Sequence, residues 1–270
     1  MMRLSLNLKK TLFVVTDVLL AVYLLLAVTS FNSPKAETTV CNKVDINISD
    51  ANNAGFLSAG EIKNILVKEK LYPYGKPLNA IEPRKIEDVL KVSPFVNTAE
   101  CYKTKNGNVC ITITQRMPII RIKSGKGDDY YIDEKGGPLP NSKYTSDLII
   151  ATGNISRWFA GHYIAPLAKV LNESKFWSNQ IEQINVLADR GIELVPRVGD
   201  HVLFIGYLPQ AATATELEQE IRDYVNRKLE RVEKFYRYGL SVTGWNSYSY
   251  INVEFDNQII CKRKNNNITE

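Results

Sequence analysis

The chain has 270 residues, enough for one large or two modest domains at about 100–200 residues each. A hydrophobic fraction of 44% and a charged fraction of 23% are those of a folded protein and exclude a disordered polyelectrolyte. The net charge of +5 is spread without a run of five or six basic residues, so nucleic-acid binding lacks its usual basic footprint.

The first ten residues, "MMRLSLNLKK", carry Arg3, Lys9 and Lys10 and no acid. From Thr11 to Phe31 the chain is apolar with one charge, Asp17, the length needed to cross a bilayer core. Basic residues before this segment, against only Lys35 soon after it, predict a cytoplasmic N-terminus and an external remainder. The alternative is a cleaved signal peptide, but the apolar run exceeds the usual h-region. Asp17 lies about one and a half turns inside the run. It reads either as a carboxyl near the interface or as a polar contact to another membrane helix.

A polar linker, residues 32–40, leads to a compact mixed unit over 41–118. "KVDINI" alternates like a strand. Ser58 caps the helix "AGEIKNILVKEK", with Glu61 completing a capping box. "PRKIEDVLKV" predicts a second helix with Pro83 near its start. Strands follow at Val96 to Lys103 and Asn108 to Gln115, joined by an Asn106-Gly107 turn. Cys101 and Cys110 flank that turn. A four-residue loop places them opposite each other and a two-residue turn offsets them, so a disulfide and free buried thiols both fit. Cys41 and Cys261 complete the set, and no Cys-x-x-Cys spacing for zinc or thiol exchange is present.

Residues 119–264 read as a second, β-rich unit. Ile119, Ile120 and Ile122 open it, "DDYYIDEKGGPL" is a hairpin around Asp133–Gly136, and "SDLIIATG" is a further strand. His162 to Asn172 has helical spacing. "IEQINVLADRGIELVPRVGDHVLFIG" is a meander of three strands. A long amphipathic helix is predicted from about Ala214 to Tyr238, with Gly239 as its C′ residue. Ile251, Val253 and Phe255 then alternate with Tyr250, Asn252 and Glu254. Asp256-Asn257 is a turn, and Gln258 to Lys262 a return strand. A last strand of this kind has a free edge unless something covers it. Residues 265–270 are a polar tail. The class is α+β: an apolar N-terminal helix, a β-α-α-β-β unit, and a mixed β-domain with a long helix.

Residues that carry chemistry are few. His162 and His201 are the only histidines and stand in no nucleophile or metal motif. Asp128, Asp129, Asp133 and Glu134 resemble paired glycosidase carboxylates, but they sit among glycines, where Asp forms turns. "KSGKGDD" lacks the phosphate-loop spacing. Asn-x-Ser/Thr triplets at Asn47, Asn154, Asn172 and Asn267 read as chance in an Asn- and Ser-rich chain. The aromatics Phe235, Tyr236, Tyr238, Trp245, Tyr248 and Tyr250 are read first as core packing, with Trp245 and Tyr248 the most exposed, and second as a binding platform. No cofactor or metal is expected.

Taken in order, these pieces resemble the bacterial cell-division FtsQ/DivIB family, in its Bacteroidetes branch. The resemblance runs through "IEDVLKVSPFVNTAECYKTKNGNVCITITQRMPIIRI", "YYIDEKGGPLP", "WSNQIEQINV", "IELVPRVGDHVLFIG" and "GWNSYSYINVEFDNQIICKR". It implies a POTRA-like first unit, a β-domain beyond it, and a non-enzymatic single-pass scaffold of the divisome. It places that scaffold in the inner membrane at the septum, with its folded domains periplasmic. In the family the terminal strand of the β-domain takes up a strand from FtsB, held with FtsL. That role carries over to Phe255, Asn257, Gln258, Ile260, Lys262 and Arg263. Other septal membrane proteins are expected at the POTRA unit, where Val96 to Lys103 is a second candidate edge, and at the membrane helix. Two other readings remain: a POTRA-bearing periplasmic assembly or transport factor, and a membrane-anchored glycan-processing enzyme using Asp128, Asp129 or Asp133.

Overall fold

The computed structural model describes residues 8–31, 39–49, 56–142 and 147–264. Most of the expected cytoplasmic end and linker, the polar tail and Asn267 lie outside the described residues. Helix α1 (Leu8–Phe31) contains no glycine or proline to interrupt it. Its stretch Thr11–Thr29 is long and apolar enough to cross a membrane, and none of it is buried against the rest of the protein.

The first folded unit comprises β1 (Lys43–Ile48), α2 (Ala59–Lys68), α3 (Pro83–Lys91), β2 (Val96–Lys103) and β3 (Asn108–Gln115). Ser58 and Glu61 form the expected capping box at the start of α2. The sheet order is β1-β3-β2, with β1 parallel and β2 antiparallel to β3. Val109, Ile111 and Ile113 alternate inward along β3 and meet Ile62 and Leu66 of α2 and Ile86 and Leu90 of α3 in one core.

Of the two readings left open for Cys101 and Cys110, the structure has the free thiols, and the hairpin takes a register between the two anticipated ones. Thr104 N–H donates to Asn108 O (2.9 Å), leaving a three-residue loop that ends on Gly107 at φ 82°. Cys101 therefore faces Ile111, and Cys110 faces Tyr102. Adjacent pairs point to opposite sides of a sheet, so one thiol enters the core and the other leaves it. All four cysteines are free, and burial pushes the Cys101 thiol up to about 11.

The second unit continues through β4 (Pro118–Ser124), β5 (Asp129–Asp133), β6 (Pro138–Pro140) and β7 (Ile150–Gly153). A helical run follows: α4 (Arg157–Phe159), a π-turn at Ala160–Ile164, then α5 (Ala165–Glu173) and α6 (Lys175–Gln180). The meander forms as expected, as β8 (Ile181–Val186), β9 (Ile192–Pro196) and β10 (Val202–Gly206). Helix α7 (Ala214–Phe235), a π-turn at Tyr236–Leu240 and α8 (Ser241–Thr243) lead into β11 (Tyr248–Asn252) and β12 (Ile260–Arg263). The nine strands lie in the order β12-β11-β10-β9-β8-β7-β4-β5-β6. Two helical crossovers join parallel neighbours, α4 to α6 linking β7 to β8 and α7 linking β10 to β11, and β4 and β7 are parallel as well. Leu167, Ala168 and Leu171 of α5 share one core with Leu217, Ile221, Val225, Leu229 and Val232 of α7.

Two helix boundaries differ from the sequence reading. His162 sits within the π-turn rather than opening a helix, because Ser156 caps the run earlier by accepting from Phe159 N–H (3.2 Å). Gly239 does not end α7. A Cβ there would lie 2.7 Å from the Phe235 ring, so the residue is glycine to let that ring lie across it. The helical path stops at Gly244, at φ 94°.

The two units meet at an apolar junction of Phe56 and Phe95 against Tyr131 and Leu139. Beside it, Arg116 Nε donates to Asp133 Oδ2 (2.8 Å) and Arg116 Nη1 donates to Pro94 O (3.0 Å).

Candidate partner-binding edge

Strand β12 is the terminal strand of the nine and pairs only with β11. Ile259 and Cys261 turn toward the core under α7. Ile260 is 50% exposed, and Lys262 and Arg263 are exposed. Lys264 N–H donates inward to Ser247 O (3.1 Å). Main-chain direction alternates along a strand, so Arg263 and Cys261 present theirs to the free side. Among the described residues no side chain takes those groups. The rim strand of the first unit differs: on β2, Cys101 N–H is already donated to Glu87 Oε1 of α3 (2.8 Å). Of these two candidate edges, β12 is the more open.

The approach to β12 is held from α7. Lys228 is only 3% exposed, yet its ammonium donates to Glu254 O (2.6 Å) and to Asp256 Oδ1 (3.1 Å). Arg231 donates to Gln258 O. Asn252 Oδ1 accepts from Glu254 N–H (2.7 Å), an Asx-turn that ends β11. The expected ladder through Phe255 and two-residue turn are therefore replaced by a longer connection. Phe255, Asn257 and Gln258 lie exposed in it, with Asn257 at φ 63°, and the return strand begins at Ile260 rather than Gln258.

The hydrogen bond and charge of Lys228 hold the Asp256 carboxyl below its ordinary range. A carboxylate with a lowered folded pKa keeps its contribution above its unfolded value and loses it as the pH falls through the folded one, here below about pH 4. Lys228→Ala is expected to cost about 2 kcal/mol, through lost packing and an unsatisfied Glu254 carbonyl. That is a fall in Tm of about 4–8 °C, to be measured calorimetrically, together with faster amide exchange at residues 253–259.

At the other end of β12, Lys264 Nζ pairs with Asp200 Oδ2 (2.7 Å). Next to Asp200, His201 is 1% exposed, and its Nε2 shares a hydrogen bond with the Tyr236 hydroxyl (2.8 Å). Burial pushes the imidazole below its ordinary value of 6.5. A histidine buried as the neutral form stabilises the fold fully above the unfolded value, and that contribution falls as the pH drops below 6.5. Tm should therefore decline between about pH 7 and pH 5, and His201→Gln should flatten that slope. An unchanged slope would show that another group sets it.

Tyr236 stacks edge-on with Trp245 at 5.0 Å, and Phe235 and Tyr248 pack against the same core. These aromatics are therefore largely structural, as first read. The most exposed is Tyr238 at 72%, whereas Trp245 is 37% exposed. The acidic residues near β5 have individual duties. Asp129 is bidentate to Arg121 (2.8 and 2.7 Å), Asp128 accepts from the Ser124 hydroxyl (3.0 Å), and Asp133 serves the junction. No cluster of metal-ligating side chains occurs among the described residues. The sequence reading passes over Lys228 and Arg231 and gives His201 a surface or capping role, whereas His201 is buried. The available signal was Lys228 itself, a charge on the apolar stripe three residues after Val225.

A three-stranded β-α-α-β-β unit, joined to an open β-domain whose last strand lies at the rim, defines a two-domain binding scaffold carried behind an apolar helix. Comparison with protein families matches residues 39–114 to the POTRA-like domain. It matches residues 117–262 to the family described as FtsQ/DivIB, C-terminal related. The second match covers more than half of the chain, and the protein belongs to the FtsQ/DivIB family, a divisome-type scaffold whose N-terminal apolar helix fits a membrane anchor. No curated protein matches the chain.

Proposed function

We propose that β12 captures an extended segment of an FtsB/FtsL-type partner by strand addition, and that the protein works as a non-enzymatic scaffold at the septum. The observation that carries this reading is the free side of β12, where the main chain at Cys261 and Arg263 is unclaimed among the described residues. An added strand gains main-chain hydrogen bonds there, and alternate side chains give selection. Ile260, Lys262 and Arg263 supply contacts along the strand, and Phe255, Asn257 and Gln258 extend them across the preceding connection. Lys262 and Arg263 have no ion-pair partner among the described residues, which favours an acidic partner segment and discourages indiscriminate pairing. In this reading α1 is the single anchor, with the N-terminus cytoplasmic and both folded units periplasmic. The POTRA-like unit and α1 meet other septal membrane proteins.

The test is binding of purified FtsB/FtsL-type partner to the full chain and to a chain lacking Gln258 to Glu270. Loss of capture with a retained cooperative melt supports the assignment. Capture undiminished by the deletion sinks it.

A further inference from the structure

Asp17 is the sole charged residue between Thr11 and Phe31. It lies six residues inside the Thr11–Thr29 span, about 9 Å along the helix from that end. The long stems of lysine and arginine reach an interface from such depth, but an aspartate side chain is too short to do so. Its neighbours solve the same problem internally. Thr16 Oγ1 donates to Leu12 O (2.9 Å), and Thr29 Oγ1 donates to Leu25 O (2.9 Å). In its ionised form the carboxyl only accepts, and the N–H groups around it are committed to the helix. Among the described residues no donor serves it, and none of the Thr11–Thr29 span is buried against the rest of the protein.

We propose that Asp17 docks a second membrane helix that carries a lysine or arginine at the same depth. This rests on α1 being the anchor of the preceding section. The contact face is the stripe of Phe13, Asp17, Ala21, Leu24 and Val28, at helical spacings of three and four. Ala21 sits one turn beyond Asp17, and its small side chain lets a neighbouring backbone approach closely. A parallel second copy of this chain brings another carboxyl to the same depth and no cation. A cationic side chain from a different helix supplies both the charge and the hydrogen bonds, the pairing that ionisable residues within membranes adopt.

The test uses the full chain in phosphatidylcholine vesicles, labelled at its N-terminus. Energy transfer is measured to a leucine–alanine transmembrane peptide with a single lysine at matching depth. The expected result is association about five- to tenfold tighter than with the all-apolar peptide, abolished in Asp17→Leu and partly kept in Asp17→Asn. Equal transfer to the two peptides, or no effect of Asp17→Leu, overturns the proposal. Asp17-dependent transfer between two copies of the chain, at the strength seen with the lysine peptide, overturns the choice of occupant. Alkaline carbonate extraction separates the two readings. A chain that is stripped from the vesicles overturns the anchor and this inference together, whereas an integrated chain without lysine preference overturns this inference alone.

Discussion

Cys261→Pro is expected to weaken capture of a strand-forming partner about 30- to 100-fold, corresponding to about 2–3 kcal/mol. Proline removes the N–H that faces the free side of β12 and places a ring where the partner's carbonyl must lie. The inward ladder survives, because Asn252↔Ile260 and Tyr250↔Lys262 are the pairs whose main-chain groups face β11. The measurement is partner affinity by titration calorimetry, with amide exchange of β10 and β11 as the control for folding. Lost affinity with unchanged protection marks the edge as the contact. Unchanged affinity means the partner binds elsewhere. The companion change Lys262→Glu tests selection rather than the ladder: it should reduce the on-rate for an acidic segment and make binding less sensitive to salt.

Asp133→Ala is expected to be the most destabilising single change at the junction, at about 3 kcal/mol. The carboxylate is 4% exposed and accepts from Arg116 Nε (2.8 Å), Gly137 N–H (2.7 Å) and Lys135 N–H (3.0 Å). Its removal leaves the Arg116 guanidinium without its counter-charge beside the Phe56, Phe95, Tyr131 and Leu139 cluster. Tm of the β-domain should fall by about 6–12 °C, and a single calorimetric transition should split as the two units uncouple. Asp133→Asn keeps acceptors for the two backbone amides and should lose about half as much. A Tm change below about 2 °C would mean that the apolar cluster alone holds the junction. Because Asp133 is committed to this work, its loss should register as a stability defect rather than as lost catalysis.

Much of the architecture was legible because its causes are local. The capping box at Ser58 and Glu61, Pro83 at the start of α3 and the stripe of α7 need only residues three or four apart. The alternation of Val109, Ile111 and Ile113 in β3 needs only residues two apart. The register of the β2–β3 hairpin was not legible. It turns on the Thr104–Asn108 pairing and the left-handed Gly107, and a shift of one residue would bring both cysteines to the same face. The end of α7 was misplaced for a related reason. A glycine near a helix terminus reads as a stop, but Gly239 is there to make room for the Phe235 ring, a fact about packing rather than sequence spacing.

For the candidate site the division is sharper. By itself the sequence determined that the chain has an apolar helix of membrane-spanning length, two folded units and a final β-hairpin, because periodicity and turn chemistry act over a few residues. Only the tertiary structure decided that β12 lies at the rim with β11 alone beside it, that Lys228 reaches into the β11–β12 connection, and that the β2 edge is partly claimed by Glu87. Strand order depends on which distant segments bury each other's apolar faces. That is a balance of long-range contacts, and neighbouring residues do not encode it.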